Sequence, residues 1–204
     1  MRNNGREYRT LDLQFKAKED GAESNYIVEG YASTFEPYVL LEEEGVEYKE
    51  IIDKNAFDDA DLSDVVFRID HEGRVYARTS AGTVKLDTDE HGLRISADLS
   101  RTASAREVYE DIRAGNYDKM SFAFIVDADT YDKETHTRVI SRIGKVFDIS
   151  PVSFPANPGT EITARAYFNG VIEMEKAERL LAERKERLKK SILKELIEGE
   201  MNHE

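Results

Sequence analysis

The sequence predicts a mixed α/β fold that is mainly antiparallel β-sheet, with a few packed helices and a long amphipathic helix at the C-terminus. Several short segments alternate apolar and polar residues, which is the period of a half-buried strand. Polar turns join many of these segments, as in antiparallel hairpins. From about Gly170 onward proline is absent and apolar residues recur at helical spacing.

The N-terminal part is predicted to form a hairpin, a loop and a short helix. Residues from about Arg6 to Lys16 alternate in polarity, and the turn signal Asp20-Gly21 leads into a second strand over Tyr26 to Ala32. The acidic stretch Leu40 to Lys49 is expected to be mostly loop. Asp53 to Ala60 begins with a capping residue, so we expect a short helix there.

A strand that ends in a histidine comes next, followed by a hairpin. Counting by twos along Val65 to His71 places alternate residues on one face, so that His71 ends an apolar row. The hairpin joins Thr83 to Asp87 with Leu93 to Leu99. Its inward-facing residues are predicted to be Leu93, Ile95, Ala97 and Leu99.

One helix separates these strands from a second β region. Ser104 is its predicted N-cap, because Glu107 follows at the spacing of a capping box. Gly115 stands where a C-terminal cap belongs, so the helix is predicted over Ala105 to Ala114.

The second β region is predicted to hold the centre of the sheet. Lys119 to Val126 is apolar on both faces, which is typical of a central strand. A polar tip from Asp127 to His136 leads into strands over Thr137 to Ile140 and Lys145 to Ser150. Three prolines then predict a rigid loop that closes the core: Pro151, Pro155 and Pro158.

The C-terminal helix differs in composition from the rest of the chain. This difference predicts that the chain divides into a domain over residues 1–168 and a charged helical tail over residues 169–204. Leu181 and Leu188 are seven residues apart, but the heptad is not sustained, which disfavours a long coiled coil. The apolar residues at helical spacing are Met174, Ala177, Leu181, Leu188, Ile192 and Leu196.

Composition excludes several classes of function. The chain has 204 residues, 42 acidic against 29 basic, with a formal net charge of -13. Such a surface repels polyanions, which argues against a nucleic-acid partner. The absence of cysteine excludes disulfides, a thiol nucleophile and thiolate zinc sites. No window approaches the roughly 20 apolar residues of a membrane-spanning helix, so we expect a soluble protein without a membrane partner.

Few residues are candidates for chemistry. Of the four histidines, His91 lies in an acidic turn, His136 at a hairpin tip and His203 in the terminal tail. His71 alone ends an apolar strand, where an imidazole must satisfy a hydrogen bond or take part in a reaction.

No metal or cofactor site is predicted. The cluster of Asp58, Asp59, Asp61 and Asp64 is spread around a turn and is expected to be a solvated face. The run that begins at Asp127 starts like a calcium loop, but Asp132 occupies the glycine position and Arg138 the position of the closing glutamate. Phosphate-binding glycine loops, nucleophile elbows and His-Glu-x-x-His helices are absent from the sequence.

One catalytic hypothesis remains from the residues themselves. A serine needs an adjacent imidazole to accept its proton and a third group to fix the tautomer of that imidazole. Ser121, His71 and Asp148 each lie in a predicted core strand, and two of them are polar where an apolar residue is expected. They could meet in the fold, although spacing alone does not place them in contact.

From about Glu7 to Arg165 the chain resembles the prohead (capsid maturation) proteases of tailed bacteriophages, which are related to the herpesvirus assemblin proteases. Seven segments carry the resemblance in order: Gly30-Tyr31-Ala32-Ser33-Thr34-Phe35; Glu50-Ile51-Ile52 with Asn55-Ala56-Phe57; Ile69-Asp70-His71-Glu72; Ala81-Gly82-Thr83-Val84-Lys85-Leu86; Gly92-Leu93; Lys119-Met120-Ser121-Phe122-Ala123-Phe124; and Asp148 to Pro158. The resemblance implies a mixed, mainly antiparallel β-barrel with packed helices, similar to assemblin.

The resemblance also implies roles for three residues. His71 matches the histidine base, Ser121 the serine nucleophile, and Asp148 the acidic third member, which is more often glutamate in the family. Asp70 stands for the usual asparagine and Ala123 for the usual glycine. The resemblance does not assign the oxyanion donors. The proline-rich loop follows Asp148 closely in sequence, which makes the backbone amides near Asn157 and Gly159 the candidates.

The function implied is that of a serine endopeptidase without a cofactor. It would cleave scaffold protein, or a scaffold-like segment of the major capsid protein, inside the assembling prohead in the host bacterial cytoplasm, and would also cleave itself. Homodimers or higher self-association are possible. The C-terminal helix could be a tether, a removable segment or a packing element.

Two other functions stay open at this point. The first is a capsid assembly or scaffold protein with the same fold and weak or absent proteolysis. The second is a generic acidic β-barrel binding module, which leaves the ordered motifs unexplained.

Overall fold

The structure, a computed structural model, describes residues 5–11, 16–17, 26–153 and 162–201. It divides into two compact units, Met1–Ala164 and Arg165–Glu204. Among the described residues, no helix combines the length and the hydrophobicity that a membrane-spanning helix requires. In chain order the elements are β1 (Arg6–Leu11), β2 (Lys16–Ala17), β3 (Ile27–Thr34), β4 (Tyr38–Glu43), β5 (Val46–Ile52), β6 (Val66–Ile69), β7 (Glu72–Arg78), β8 (Val84–Thr88), β9 (Gly92–Asp98), α1 (Ala103–Arg113), β10 (Lys119–Asp132), β11 (Thr137–Val152) and α2 (Ile162–Met201).

The larger of two sheets has seven strands and is organised around β11. Its main order is β1-β10-β11-β5-β4, with β6 beside β11 and β7 beside β6. β10 and β11 are antiparallel, whereas β5 and β6 both run parallel to β11. β5 pairs with the start of β11 and β6 with its end, so one long strand holds two separate sets of neighbours.

The smaller sheet has the order β2-β3-β9-β8 and is antiparallel throughout. The predicted inward face of β9 is confirmed, because Leu93, Ile95, Ala97 and Leu99 are all fully buried. One hydrophobic core contains side chains from both sheets and from α1, among them Val28, Ile95, Tyr109, Phe122 and Phe124.

The predicted β-barrel is not closed in the described residues. Among the strands that the structure describes, the two sheets share no hydrogen-bonded pair, and each ends in open edges, since β7 pairs there only with β6 and β8 only with β9. β11 changes its partner from β5 to β6 along its length, so the larger sheet divides instead of continuing around a cylinder. The mixed α/β class is therefore confirmed, and closure into a barrel is not.

Residues predicted to form a loop are instead the hairpin of β4 and β5. Glu44 and Gly45 both have positive φ, +53° and +79°, which is the geometry of a two-residue type I′ turn. Tyr48, Glu50 and Ile52 alternate into the interior. The alternation of buried and exposed residues is not visible in the sequence here, because the buried position between Tyr48 and Ile52 carries a glutamate, Glu50.

The predicted short helix over Asp53 to Ala60 is a series of turns. The Asp53 carboxylate accepts a hydrogen bond from the Asn55 N–H at 2.9 Å, and backbone bonds join residues three apart, such as Ala56 N–H to Asp53 C=O. A side chain that bonds the nearby backbone in this way competes with helix formation.

Helix α1 is present as predicted, but its N-cap is not Ser104. The Thr102 hydroxyl accepts from the Ala105 N–H, and the helix begins at Ala103. Ser104 instead accepts from the Arg74 guanidinium. At the other end Gly115 has a φ of +81°, as expected for the residue after a helix.

Helix α2 begins at Ile162, before the compositional change at Gly170. Its apolar residues in the described part of the chain lie largely on its surface, since Leu181, Leu188 and Ile192 are 53%, 61% and 49% exposed.

Candidate functional site

Three polar side chains predicted from the sequence lie within hydrogen-bonding distance of one another. The His71 Nε2 is 2.7 Å from the Ser121 Oγ, and the His71 Nδ1 is 2.5 Å from the Asp148 Oδ1. The imidazole therefore bridges the hydroxyl and the carboxylate. A serine, a histidine and an acid in this order form the arrangement that activates a hydroxyl for attack on a carbonyl carbon.

Strand register brings these residues together from three different elements. Ser121 of β10 lies opposite Ser150 of β11, and Asp148 of β11 lies beside Val66 of β6. His71 follows β6 in the two-residue turn that joins it to β7. The sequence prediction that His71 continues the apolar row of Val65 is wrong in detail, because β6 ends at Ile69 and the chain turns before the histidine.

The turn that carries His71 has an unusual backbone. Asp70 and His71 have φ values of +48° and +59°, and Ile69 pairs with Glu72 on either side of them. Two successive positive φ angles define a type I′ turn, which normally uses Asn-Gly or Asp-Gly. Left-handed backbone costs a residue other than glycine about 1–2 kcal/mol, and such strain is concentrated at functional sites.

The geometry fixes the tautomer of the imidazole. Because a carboxylate can only accept, the Nδ1–H of His71 donates to Asp148, and the Nε2 is left to accept from the Ser121 hydroxyl. Ser121 and Asp148 are 1% and 4% exposed. Water competes weakly for these bonds, so each is stronger than it would be on the surface.

Ser150 also binds the carboxylate. Its hydroxyl donates to the Asp148 Oδ1 at 2.8 Å, and its side chain is fully buried. Sequence reasoning missed this residue, although it follows Asp148 by two positions and so shares its face of β11. Once Asp148 is selected as a candidate site residue, the alternation of side chains along a strand places Ser150 on the same face.

Tyr8 packs against the imidazole from β1. The two ring centroids are 4.8 Å apart with an interplanar angle of 76°, an edge-to-face contact. Nothing in the sequence signals this contact, since β1 pairs with β10 across more than a hundred residues and only the register shows that Tyr8 lies opposite Ala123.

Arg68 holds the backbone of the histidine turn. Its Nη1 donates to the His71 carbonyl oxygen at 3.0 Å. Its Nε is buried and has no hydrogen-bond partner among the described residues. The guanidinium thus adds a positive charge next to the candidate site.

The other predicted site residues lie elsewhere or outside the described residues. His91 packs against the Tyr31 ring, and His136 binds the Tyr131 hydroxyl. His203 and the suggested oxyanion region near Asn157 and Gly159 lie outside the described residues.

Two members of the acidic cluster form ordinary ion pairs. Asp61 binds Lys145, and Asp64 binds Arg78. These cations and neighbouring serines lower the pKa of both carboxyls. Within the described ranges no group of three or more histidine, aspartate or glutamate side chains is arranged to hold a metal ion.

A second buried polar cluster lies apart from the triad residues. Arg9 donates to Glu7 and Glu50, and Arg138 donates to both glutamates and to Asp129. Burial opposes the charge of Arg9, but the charge and hydrogen bonds of Glu50, together with Tyr38 and Glu7, outweigh burial and raise the pKa of the guanidinium. This cluster joins β1, β5, β10 and β11.

Comparison with known protein families gives a match over most of the chain. A family model described as caudovirus prohead serine protease matches residues 12–176. No curated protein and no solved structure matches the chain. The matched range contains all three candidate catalytic residues.

Proposed function

The chain belongs to the caudovirus prohead serine protease family, and we propose that Ser121, His71 and Asp148 are the catalytic triad of this capsid maturation protease. The observation that carries the proposal is the pair of hydrogen bonds that the His71 ring makes, one to the Ser121 hydroxyl and one to the Asp148 carboxylate. A purely structural histidine does not need a serine on one nitrogen and a buried acid on the other.

In the proposed mechanism the Ser121 Oγ attacks the carbonyl carbon of the scissile peptide. The His71 Nε2 accepts the hydroxyl proton and then delivers it to the leaving amine, so that the amine departs neutral. Water next attacks the acyl-enzyme with His71 again as base, which releases the acid and restores the serine. Asp148 stabilises the imidazolium that exists during each step.

The short side chain of Asp148 is compatible with this role. The family more often has a glutamate as third member, which is one methylene longer. The 2.5 Å separation between the Asp148 Oδ1 and the His71 Nδ1 supports aspartate as a sufficient substitute here, because the parallel pairing of β6 with β11 draws the histidine turn close.

We further propose the substrates and the division of labour within the chain. The substrates are scaffold protein or a scaffold-like segment of the major capsid protein, and also the chain itself. Cleavage takes place inside the assembling prohead in the host bacterium. The protease domain is residues 1–168, and residues 169–204 form a charged helical tail.

The test uses a fluorophosphonate probe, which requires no knowledge of the natural substrate. An activated serine attacks the phosphorus atom and expels fluoride, which leaves a covalent adduct that is visible by intact mass and can be located by peptide mapping. We expect a single adduct on Ser121 in the wild type and none in Ser121→Ala. His71→Ala should react at least about 10²-fold more slowly, because it lacks the general base.

Co-expression with the cognate capsid or scaffold protein then tests the substrates. The wild type should shorten its partner at defined peptide bonds, and Ser121→Ala should leave the partner intact. Absence of both adduct and cleavage in the wild type would contradict the catalytic proposal. Particles that assemble normally in that case would favour an assembly protein with the same fold.

A further inference from the structure

The turn that presents His71 is tied to the strand that carries Asp148. The Asp70 carboxylate accepts from Ser153 twice: its Oδ1 from the backbone N–H at 2.9 Å and its Oδ2 from the hydroxyl at 2.8 Å. The Asp70 N–H donates to the Pro151 carbonyl oxygen at 3.0 Å. Three hydrogen bonds thus connect one turn residue with Pro151 near the end of β11 and with Ser153, the residue that follows the strand.

This connection has a direct geometric consequence for the imidazole. β6 and β11 are parallel and pair at Asp148–Val66 and Ile149–Phe67, but the recorded pairing stops there, before either strand reaches the turn. Asp70 extends the connection beyond the last strand pair. The position of His71 relative to Asp148 therefore depends on the bonds that Asp70 makes to Pro151 and Ser153, and its side chain supplies those to Ser153.

The positive φ angles of Asp70 and His71 make such a tie necessary. A turn with two left-handed residues other than glycine has lower-energy alternatives, in which the histidine ring points elsewhere. Arg68 holds the His71 carbonyl oxygen from the strand side, and Asp70 holds the turn from the β11 side. If the bonds of the Asp70 carboxylate are lost, the turn can relax to a lower-energy backbone conformation, and the imidazole then moves away from Asp148.

We propose that Asp70 is a positioning residue, whose carboxylate clamps the turn to Ser153 and so holds the His71 Nδ1 against Asp148. The proposal rests on the triad assigned under the proposed function. Asp70 touches neither substrate nor the reacting atoms, and acts only through the orientation of the histidine.

The exposure of the clamp separates this role from simple stabilisation of the fold. Asp70 and Ser153 are both exposed, unlike Ser121 and Asp148. Exposed hydrogen bonds contribute little to global stability, because water replaces them. Loss of the clamp should therefore reduce reactivity far more than it reduces the midpoint of urea unfolding.

The experiment compares variants of the full chain by their rate of modification with the fluorophosphonate probe. Asp70→Ala removes both acceptors and should slow modification of Ser121 by about 10- to 100-fold, since small misplacements of a catalytic base are costly. Asp70→Asn keeps one carbonyl oxygen for the Ser153 N–H and should stay within about 5-fold of the wild type. Ser153→Ala removes only the hydroxyl, and its rate of modification should lie between those of Asp70→Ala and Asp70→Asn.

The chain offers a matched control in Asp132. Its carboxylate also accepts one backbone N–H, from Glu134 at 2.8 Å, and one hydroxyl, from Thr135 at 3.0 Å. It lies at the opposite end of β10 from Ser121, about 36 Å along the strand at a rise of about 3.3 Å per residue. Asp132→Ala should react with the probe at the wild-type rate.

A second readout is the His71 imidazole in ¹H–¹⁵N spectra, assigned with the His71→Gln variant. The wild type should show an Nδ1–H resonance protected by the bond to Asp148. Asp70→Ala should lose that resonance, while Asp70→Asn and Asp132→Ala retain it. A change in fold alone would alter the spectrum of the whole chain.

The two readouts distinguish the clamp from the triad. If the wild type does not react with the probe, and the Nδ1–H resonance is lost only in Asp70→Ala, the triad proposal is wrong and the positioning role of Asp70 is supported. If Asp70→Ala is modified by the probe at the wild-type rate and its His71 Nδ1–H resonance is unchanged, the proposed role of Asp70 is wrong. If Asp70→Ala does not fold, Ser153→Ala decides: equality with the wild type in both readouts overturns the proposal.

Discussion

Asp148 accepts two hydrogen bonds in a place that excludes most water. The His71 Nδ1–H and the Ser150 hydroxyl both donate to its Oδ1. A buried carboxylate without donors would be costly, so these two bonds are what keep a charge in the interior of β11. The same bonds fix the direction of the imidazole.

The first prediction concerns the charge of Asp148. Asp148→Asn should lower the rate of probe modification by about 10³-fold or more, because the amide favours the wrong histidine tautomer. Asp148→Glu keeps the charge but adds a methylene to a tightly packed position, and we expect a loss of about 10-fold. The measurement is the rate of adduct formation at Ser121. Equal rates for Asp148→Asn and the wild type would remove Asp148 from the triad.

The second prediction concerns Ser150. Ser150→Ala removes one of the two donors to Asp148 and should slow probe modification by about 3- to 10-fold, because the carboxylate gains freedom to rotate. The alanine side chain itself is nearly neutral at this buried position. The loss of the hydrogen bond to Asp148 should lower the free energy of unfolding by about 1–2 kcal/mol. Urea titration and the probe assay measure the two effects separately.

At the scale of secondary structure, α1 shows where sequence patterns mislead. Ser104 and Glu107 have the spacing of a capping box, yet Thr102 is the cap. Both residues can cap a helix, and the choice depends on where the chain leaves β9 and on Arg74, which occupies the Ser104 hydroxyl. The contact with Arg74, 30 residues from Ser104, is not local in sequence.

The third prediction distinguishes the two caps. Thr102→Ala should lower the free energy of unfolding by about 1 kcal/mol, because the Ala105 N–H loses its acceptor. Ser104→Ala should change it by less than about 0.5 kcal/mol, as for most surface substitutions. Denaturant titration of both variants against the wild type checks the difference, and the reverse order would make Ser104 the cap.

The β elements show how much of the fold and the site can be predicted from the sequence. Strands with one clean apolar face, such as β9, follow from periodicity, as does the choice of Ser121 as a polar residue in an apolar strand. β5 does not, because Glu50 occupies a fully buried position. Its charge is compensated by Arg9 and Arg138, which are 41 and 88 residues away, and local patterns carry no information on such partners.

At the scale of the whole molecule, the same ionic cluster joins strands from both ends of the chain. Removing one partner leaves a buried charge uncompensated, which typically costs 3–5 kcal/mol. Glu50→Ala is thus the fourth prediction: it should reduce the free energy of unfolding by about that amount, measured by urea titration at neutral pH. Val39→Ala, at an exposed position of the neighbouring β4, is the control and should change stability little.

The last prediction is the pH dependence of stability. Burial raises the pKa of the Glu7 carboxyl, but the bonds and charges of Arg138 and Arg9 together outweigh burial, so its pKa lies below the ordinary 4.5. As pH falls below about 4.5, the unfolded chain takes up the proton first, and the stability contributed by Glu7 is lost as pH passes through its folded pKa. Urea titrations between pH 7 and pH 3 should show a steep decline in the wild type. Glu7→Gln should start lower at pH 7 and decline less steeply, because it has no proton to gain. Equal slopes would place the acid-sensitive groups among the other carboxyls with lowered pKa values, which are those of Asp61, Asp64, Asp89, Asp98 and Asp132.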